Sequence, residues 1–212
     1  MVADNHDRLQ IDTLRVRIRM AREDDARALA SMMSARISAR LATWPELMTP
    51  SMARNRLARD LADAQRIAPM VMELREDGAV CGWMSVTRLP EHPACGILTY
   101  WLGEAHQGRG LMREAAPQAV RHLFEKLGLE RLRAAVQMDN AASIGVLHAA
   151  GMRPLGPGRI WCSARGQEET CLWFEIDRAM ALGEAVGIGH SEAAGESPDA
   201  VASEHWAGVP ER

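Results

Sequence analysis

A buried strand followed at once by a glycine-containing loop and an amphipathic helix most constrains the fold of this chain. Residues 94–103, ACGILTYWLG, are apolar on both faces, which is typical of a central strand. Apolar residues then recur at helical spacing and predict a helix that stops at Gly128. The stripe comprises Met112, Ala115, Ala116, Ala119, Val120, Leu123 and Leu127. The loop GEAHQGRG therefore joins the end of a strand to the N-terminus of a helix.

This loop has the residue types of an anion site. The first N–H groups of a helix lack partners inside the helix, and the positive end of the helix dipole lies at the same place. Gly108 and Gly110 have no Cβ, so the oxygens of a ligand could approach the backbone closely. The pattern predicts a phosphate-binding loop. The simpler interpretation is a turn in which Arg109 is only a solvated side chain.

Three phosphate-binding patterns compete for the loop. The nucleotide P-loop pattern GxxxxGK[ST] fails because Arg109 replaces its lysine and Gly110 replaces the residue that would hold Mg²⁺. The dinucleotide pattern GxGxxG fails because Arg113 stands at its third glycine. The third pattern, (Gln/Arg)-x-x-Gly-x-(Gly/Ala), begins at Gln107, and only Met112 departs from it.

Residue periodicity elsewhere predicts a mixed α/β fold. Residues 14–20 alternate like a half-buried strand, and residues 21–37 and 51–65 have helical spacing. Asp77-Gly78 predicts a type I′ hairpin turn, and Arg165-Gly166 predicts the turn of a second hairpin. The order is strand, two helices, three strands, helix, strand, helix and hairpin. The fold class is therefore α/β, with a mixed (α+β) sheet flanked by helices.

The chain divides into three segments. Residues 1–12 are polar and predict a flexible leader. Residues 13–177 hold all the periodic patterns and predict a single domain. Residues 178–212 are rich in Ala, Gly, Ser and Glu without a period, which predicts a low-complexity, disordered tail.

Composition argues against several classes of protein. The net charge of −3 argues against a broad nucleic-acid-binding surface. The sequence has no apolar run long enough to span a membrane and no secretory signal in its first residues, so the expectation is a cytoplasmic protein without a membrane partner. Four scattered cysteines form no CxxC pair and are expected to be buried and reduced, not metal ligands. They are Cys81, Cys95, Cys162 and Cys171.

Two stretches together resemble a known family. TYWLGEAHQGRGLMREA, residues 99–115, and RLRAAVQMDNAASIGVLHAAGM, residues 131–152, are similar to motifs of the GNAT superfamily of acetyl-CoA-dependent N-acetyltransferases. The most similar branch is that of the ribosomal-protein N-terminal acetyltransferases, of the RimJ/RimL type. The resemblance covers residues 14–176. It implies a GNAT-like fold whose sheet splays between its fourth and fifth strands, residues 97–103 and 131–138.

The resemblance also implies that acetyl-CoA is the acetyl-donor substrate and that no metal takes part. The pantetheine arm would pair with the splayed strands, and the diphosphate would lie on the amides of residues 108–112. The implied coenzyme-binding residues are Trp101, Leu102, Gln107, Gly108, Arg109, Gly110, Leu111, Met112 and Asn140.

The implied reaction is direct attack by a neutral amine on the thioester, with a backbone N–H near Trp101 or Leu102 polarising the carbonyl. Many relatives carry a tyrosine acid where this chain has Leu147. The resemblance therefore assigns the thiolate's proton donor to Ser143, whose alternative role is helix capping. Asn140 is both an implied pantetheine contact and a candidate N-cap.

The general base is less specified by the sequence. Glu104 lies just beyond the central strand and is the predicted base. Glu168 and Glu169, at the start of the last hairpin strand, and a chain of water molecules are the alternatives.

The sequence thus predicts an N-acetyltransferase acting on a primary amine, which is either a protein N-terminus or a small molecule. The alternative is a non-catalytic acyl-CoA-binding or sensor domain of the same fold, which the missing tyrosine keeps open. A nucleotide-triphosphate-binding protein is a third interpretation, which Arg109 and Gly110 argue against. The oligomeric state stays open.

Overall fold

The computed structural model describes residues 9–184, and they form one eight-stranded sheet with the order β1-β2-β3-β4-β5-β6-β8-β7. The strands are β1 Gln10–Asp12, β2 Val16–Met20, β3 Ile67–Leu74, β4 Val80–Arg88, β5 Cys95–Leu102, β6 Arg131–Val136, β7 Arg153–Cys162 and β8 Gln167–Asp177. The helices are α1 Ala26–Met32, α2 Ala35–Ser38, α3 Pro50–Ala62, α4 Leu111–Leu127, α5 Ala141–Ala149 and α6 Arg178–Leu182. The mixed α/β class predicted from the sequence is confirmed.

The sheet opens between β5 and β6. These strands run parallel and pair only from Cys95 opposite Arg131 to Ile97 opposite Arg133. Beyond Ile97, β5 continues to Leu102 and stays paired with β4 alone among the described residues. The predicted splay is therefore confirmed. The two strands are the fifth and sixth, not the fourth and fifth, because the sheet contains an additional N-terminal strand, β1.

Two hydrophobic cores cover the two faces of the sheet. One includes the inner sides of α4 and α5. The other includes α1, α2 and α3 together with three tryptophans. The rings of Trp83 and Trp101 each meet Trp44 edge-on, at centroid distances of 5.3 and 5.1 Å. The helical layers thus fix β5 from both sides at the level of the opening.

The predicted helix over residues 21–37 is interrupted. It forms two short helices, α1 and α2, because Met33 takes an extended conformation and Ser34 begins a new helix. The Ser34 hydroxyl accepts a hydrogen bond from the Ile37 N–H at 3.3 Å, so the second helix has its own cap. The helix predicted over residues 51–65 forms as α3, Pro50–Ala62, and Thr49 caps the Met52 N–H at 3.2 Å.

The hairpin at Asp77-Gly78 forms, but its turn type was predicted wrongly. Gly78 has a φ of 73°, while no residue other than glycine has a positive φ between residues 9 and 184. A type I′ turn needs positive φ at both central residues. Instead, the chain forms a five-residue loop in which the Asp77 carboxylate accepts from the Ala79 N–H at 2.9 Å. The side chain of Asp77 therefore shapes a longer turn.

The structure also differs from the predicted domain limits at both ends. Residues 10–12 of the predicted leader form β1, with Ile11 buried opposite Ile18. Residues 178–182 of the predicted tail form α6, which the Asp177 side chain caps. Residues 1–8 and 185–212, on which the rest of those predictions falls, lie outside the described part. Within the described part, no helix combines the length and apolar character needed to cross a membrane.

Candidate active site

The loop before α4 is held in a shape that only glycine adopts without strain. Gly108 and Gly110 have φ values of 72° and 74°, and Gly110 immediately precedes the helix. A Cβ on Gly108 would contact nothing within 4 Å, and one on Gly110 would meet only Arg15 Nη2 at 3.6 Å. The backbone conformation, and not crowding by protein atoms, therefore explains both glycines.

The start of α4 presents free hydrogen-bond donors. Gly110 provides no side-chain cap, and the first bond inside the helix runs from the Glu114 N–H to Gly110 O at 3.0 Å. Among the described residues, no acceptor contacts the N–H groups of residues 110–113. Orphaned donors at a helix entrance together with the helix dipole favour an anion at this place.

Contacts to the β1–β2 turn anchor the loop from one side. Arg15 Nη1 donates to Arg109 O at 2.9 Å, and Arg15 Nε donates to the Glu114 carboxylate at 2.7 Å. The Thr13 hydroxyl donates to the same carboxylate at 2.7 Å. Partial burial raises the pKa of Glu114, but these hydrogen bonds outweigh it and leave the pKa lowered. Glu114 is thus held ionised and bonded on the side of the β1–β2 turn.

An arginine-rich cleft lies beside the loop. It has a volume of about 370 Å³ and is lined by Leu14, Arg15, Leu74, Arg75, Glu76, Arg109 and Leu111. Three of these seven residues are arginines and one is a glutamate, so the field near the loop favours negative charge.

The side chains predicted to bind the coenzyme lie in different environments. Gln107 Nε2 donates to Leu102 O at 2.9 Å, which ties the loop to the end of β5. The side chains of Trp101, Leu102, Leu111 and Met112 are buried in the two cores. For these four residues only the backbone is left for a ligand, whereas Arg109 has an exposed side chain.

Two hydroxyl groups meet beside the β5–β6 opening. Tyr100 lies on the part of β5 that has no β6 partner, and Ser143 lies in the first turn of α5. The Tyr100 hydroxyl is 2.7 Å from Ser143 Oγ and also donates to Ser143 O at 3.3 Å. Burial raises the pKa of Tyr100 to about 12, against a smaller lowering effect of the Ser143 hydrogen bond.

Sequence reasoning missed Tyr100. The chain contains a single tyrosine, and it stands two residues from Leu98 and from Leu102, so all three share the face of β5 that α4 and α5 cover. A lone hydroxyl on that face favours a hydrogen-bond partner, and this signal was present in the sequence. The identity of the partner was not, because 43 residues separate Tyr100 from Ser143.

Ser143 is not the cap of its helix. The Asn140 side chain accepts from the Ser143 N–H at 3.1 Å, so Asn140 caps α5 as the sequence suggested. The hydroxyl of Ser143 contacts Tyr100 and is not committed to the backbone. Leu147, at the position where the resemblance implied a tyrosine acid in many relatives, is a buried core residue.

Glu104 joins the end of β5 to the start of α2. Its carboxylate accepts from the Ser34 hydroxyl at 2.5 Å and lies 3.7 Å from Arg36 Nη1. The side chain is 42 % exposed, so water reaches it. Among the described contacts, none links Glu104 to Ser143 or to Tyr100.

Glu169 is poorly suited to accept a proton. Arg165 Nε and Nη2 donate to its two oxygens at 2.5 and 2.8 Å. The Arg165 hydrogen bond, partly offset by burial, lowers the pKa of Glu169 to about 2. A carboxylate this weakly basic takes up few protons near neutral pH. Glu168 is also engaged, in an ion pair with Arg159 at 3.0 Å.

The same arginine also binds the chain at the end of α2 and just after it. Arg165 Nη1 donates to Ser38 O at 2.9 Å and to Leu41 O at 3.2 Å, and Gln137 Nε2 donates to Ala39 O at 2.8 Å. These bonds connect residues 38–41, at the end of α2 and just after it (the α2 segment), to the end of β6 and to the β7–β8 turn.

The four cysteines are buried and unpaired, as predicted. Between residues 9 and 184, no three His, Cys, Asp or Glu side chains are grouped so that they could hold a metal ion.

Comparisons with known proteins identify a family for this chain. A family model described as an acetyltransferase (GNAT) domain matches residues 15–153. A putative ribosomal N-acetyltransferase YdaF of Bacillus subtilis is 23 % identical over 100 residues, which cover 47 % of this chain and 55 % of the relative. The chain thus spans about half the length of this curated relative.

Solved structures share the fold. Ribosomal-protein-S5-alanine acetyltransferase from Vibrio fischeri superposes with a TM-score of 0.67 at 22 % identity, covering 80 % of this chain and 97 % of that one. Mycobacterium smegmatis RimJ, solved in complex with CoA-disulfide, gives a TM-score of 0.68 at 22 % identity, with 79 % and 86 % covered.

Proposed function

The chain belongs to the GNAT acetyltransferase family, and on this premise we propose that it transfers an acetyl group from acetyl-CoA to the α-amino group of a protein N-terminus. The observation that carries the proposal is the meeting of two features at one end of β5. One is the set of orphaned N–H donors at the start of α4, and the other is the unpaired strand edge beyond Ile97.

The residues present fit the coenzyme. The N–H groups at the start of α4 would hold its diphosphate, and the Arg109 side chain is exposed beside them. The open edge of β5 offers backbone groups to the amides of the pantetheine arm. When bound, acetyl-CoA supplies a thioester carbonyl that an amine can attack.

The chemistry asks for three contributions from the chain. The amine nitrogen bonds to the acetyl carbon, the carbon–sulfur bond breaks, and in net terms one proton moves from nitrogen to sulfur. We assign the polarising N–H to the backbone near Trp101 or Leu102 and the proton donor at sulfur to Ser143. Glu104 is the base in this proposal, because Arg165 holds Glu169 strongly acidic.

The acceptor is inferred from chemistry at the opening and from similar proteins. A cationic peptide N-terminus is attracted by Glu104, the exposed carboxylate that follows β5. One structural neighbour is called a ribosomal-protein-S5-alanine acetyltransferase, and one curated relative a putative ribosomal N-acetyltransferase. These names support a protein N-terminus over a small-molecule amine.

The test uses the full chain, acetyl-CoA and a short peptide with an N-terminal alanine. Release of free thiol should depend on the peptide, and mass spectrometry should find one acetyl group on its α-nitrogen. The same peptide with a blocked N-terminus is the matched control, and a small diamine tests the other acceptor class. Tight coenzyme binding without acceptor-stimulated thiol release would instead support the non-catalytic sensor.

A further inference from the structure

We propose that Tyr100 is a positioning residue for acetyl transfer: its hydroxyl donates to Ser143 Oγ and thereby leaves the Ser143 proton for the departing sulfur. The inference rests on the proposed function and deepens it. It starts from one contact, the 2.7 Å separation between the two hydroxyl oxygens beside the β5–β6 opening.

Either hydroxyl could donate in this hydrogen bond, and the protonation state of Tyr100 lets it be the donor. Because burial raises its pKa to about 12, the phenol stays neutral at physiological pH and keeps a proton to donate. Two acceptors lie within reach, Ser143 Oγ at 2.7 Å and Ser143 O at 3.3 Å. Donation to the nearer oxygen occupies a lone pair of Ser143 and leaves its O–H free to point elsewhere.

Helix α5 does not need this contact for its own start. The Asn140 side chain already accepts from the Ser143 N–H, so the Ser143 side chain is not needed as a helix cap. A phenylalanine at position 100 would fill the same space without bringing a polar group into the core. Tyr100 is half-buried, and its hydroxyl makes a contact with Ser143 that a phenylalanine could not make.

The proton balance of the step is complete without another reagent. The carbon–sulfur bond breaks with its electron pair on sulfur, and Ser143 Oγ–H passes its proton to that sulfur. By donating to Oγ, Tyr100 stabilises the negative charge that develops there as the Ser143 proton leaves. The proton lost by the amine nitrogen restores Ser143 through the base and solvent.

The first experiment needs no turnover and uses the fact that the chain has one tyrosine. Replacing tyrosine uniformly with a fluorinated tyrosine places a single fluorine label at position 100. In the free protein the fluorine resonance should titrate at higher pH than in the free amino acid. In Ser143→Ala the midpoint should move, because the two hydroxyls are hydrogen-bonded in the wild type. An unshifted midpoint that Ser143→Ala leaves unchanged would overturn the inference.

The second experiment compares kinetics with the alanine peptide. General acid catalysis is typically worth a hundred-fold or more, so losing its orientation in Tyr100→Phe should lower kcat by roughly ten-fold. The KM for acetyl-CoA should stay unchanged. Thr87→Val removes a hydroxyl from β4, a strand that is paired on both sides, and should keep the wild-type kcat.

The double variant decides whether Tyr100 acts through Ser143. Tyr100→Phe combined with Ser143→Ala should be no slower than Ser143→Ala alone, since one hydroxyl works by way of the other. Effects that multiply, or a Tyr100→Phe enzyme with full kcat, would overturn this inference alone. A wild-type chain that releases no thiol with any acceptor would overturn the proposed function as well.

Discussion

Exchanging Gly110 for asparagine or aspartate should separate the charge at the loop from its shape. The two side chains are close in size, and both tolerate the left-handed conformation at φ 74° better than other residues. Because a Cβ there would meet only Arg15 Nη2 at 3.6 Å, neither variant clashes with the protein. The pair therefore differs by one negative charge among the orphaned N–H groups.

This charge should act in opposite directions on folding and on binding. In the free protein, a carboxylate at a helix N-terminus stabilises by roughly 0.3–1 kcal/mol, so Gly110→Asp should melt no lower than Gly110→Asn. Against a bound diphosphate, a like charge about 4 Å away costs between about 1 kcal/mol in water and 4 kcal/mol at a protein surface. A cost of about 2.7 kcal/mol, within this range, is roughly a hundred-fold loss of affinity.

Thermal shift with acetyl-CoA measures both effects. At one hundred times its Kd, a ligand stabilises by about 2.7 kcal/mol. For a domain of this size that is a rise in Tm of about 5–11 °C. At the same acetyl-CoA concentration Gly110→Asp would retain about 0.4 kcal/mol, a rise of only about 1–2 °C.

Matched exchanges at Gly78 provide the control. This glycine lies in the β3–β4 turn and has nearly the same φ, 73°, and a Cβ there would meet nothing within 4 Å. Gly78→Asp and Gly78→Asn should show the same coenzyme shift. Equal coenzyme shifts for Gly110→Asp and Gly110→Asn would refute the assignment of the diphosphate to this helix entrance.

Two further predictions concern the carboxylates. Glu104→Gln should lower kcat by roughly a hundred-fold while the acetyl-CoA thermal shift persists, whereas Glu169→Gln should keep kcat within a few-fold; the reverse ranking would assign the base to Glu169. Glu169 has a folded pKa of about 2 against an ordinary value of 4.5, so its ion pair stabilises above pH 4.5 and is lost as pH falls from there toward 2. Tm measured at pH 5 and at about pH 2.5 should fall further in the wild type than in Glu169→Gln, and parallel falls would contradict the pairing with Arg165.

Local sequence signals predicted the parts of the site that local structure makes. Gly108 and Gly110 marked the loop because left-handed backbone favours glycine, and Asn140 marked the start of α5 because its side chain caps the first turn. The opening of the sheet came from the resemblance to a family, since no periodicity in β5 or β6 encodes where their pairing ends.

The contacts that decide the chemistry lie between distant parts of the chain. Tyr100 and Ser143 are 43 residues apart, and Ser34 and Glu104 are 70 residues apart. Sequence spacing carries no information on such pairs. Glu169 was a reasonable candidate base until the structure brought Arg165 across the β7–β8 turn onto both of its oxygens.

The short pairing of β5 with β6 makes this the weak junction of the sheet. It separates a five-strand section, β1 to β5, from a three-strand section, β6 to β8, and only three residue pairs connect the two. The hydrogen bonds from Arg165 and Gln137 to the α2 segment provide a second connection to the three-strand section. A ligand bound at the β5–β6 opening would contact both sections and hold them together. Backbone amides of β6 and β8 should then exchange with deuterium more slowly when the coenzyme is bound, because local opening of the three-strand section becomes less favourable.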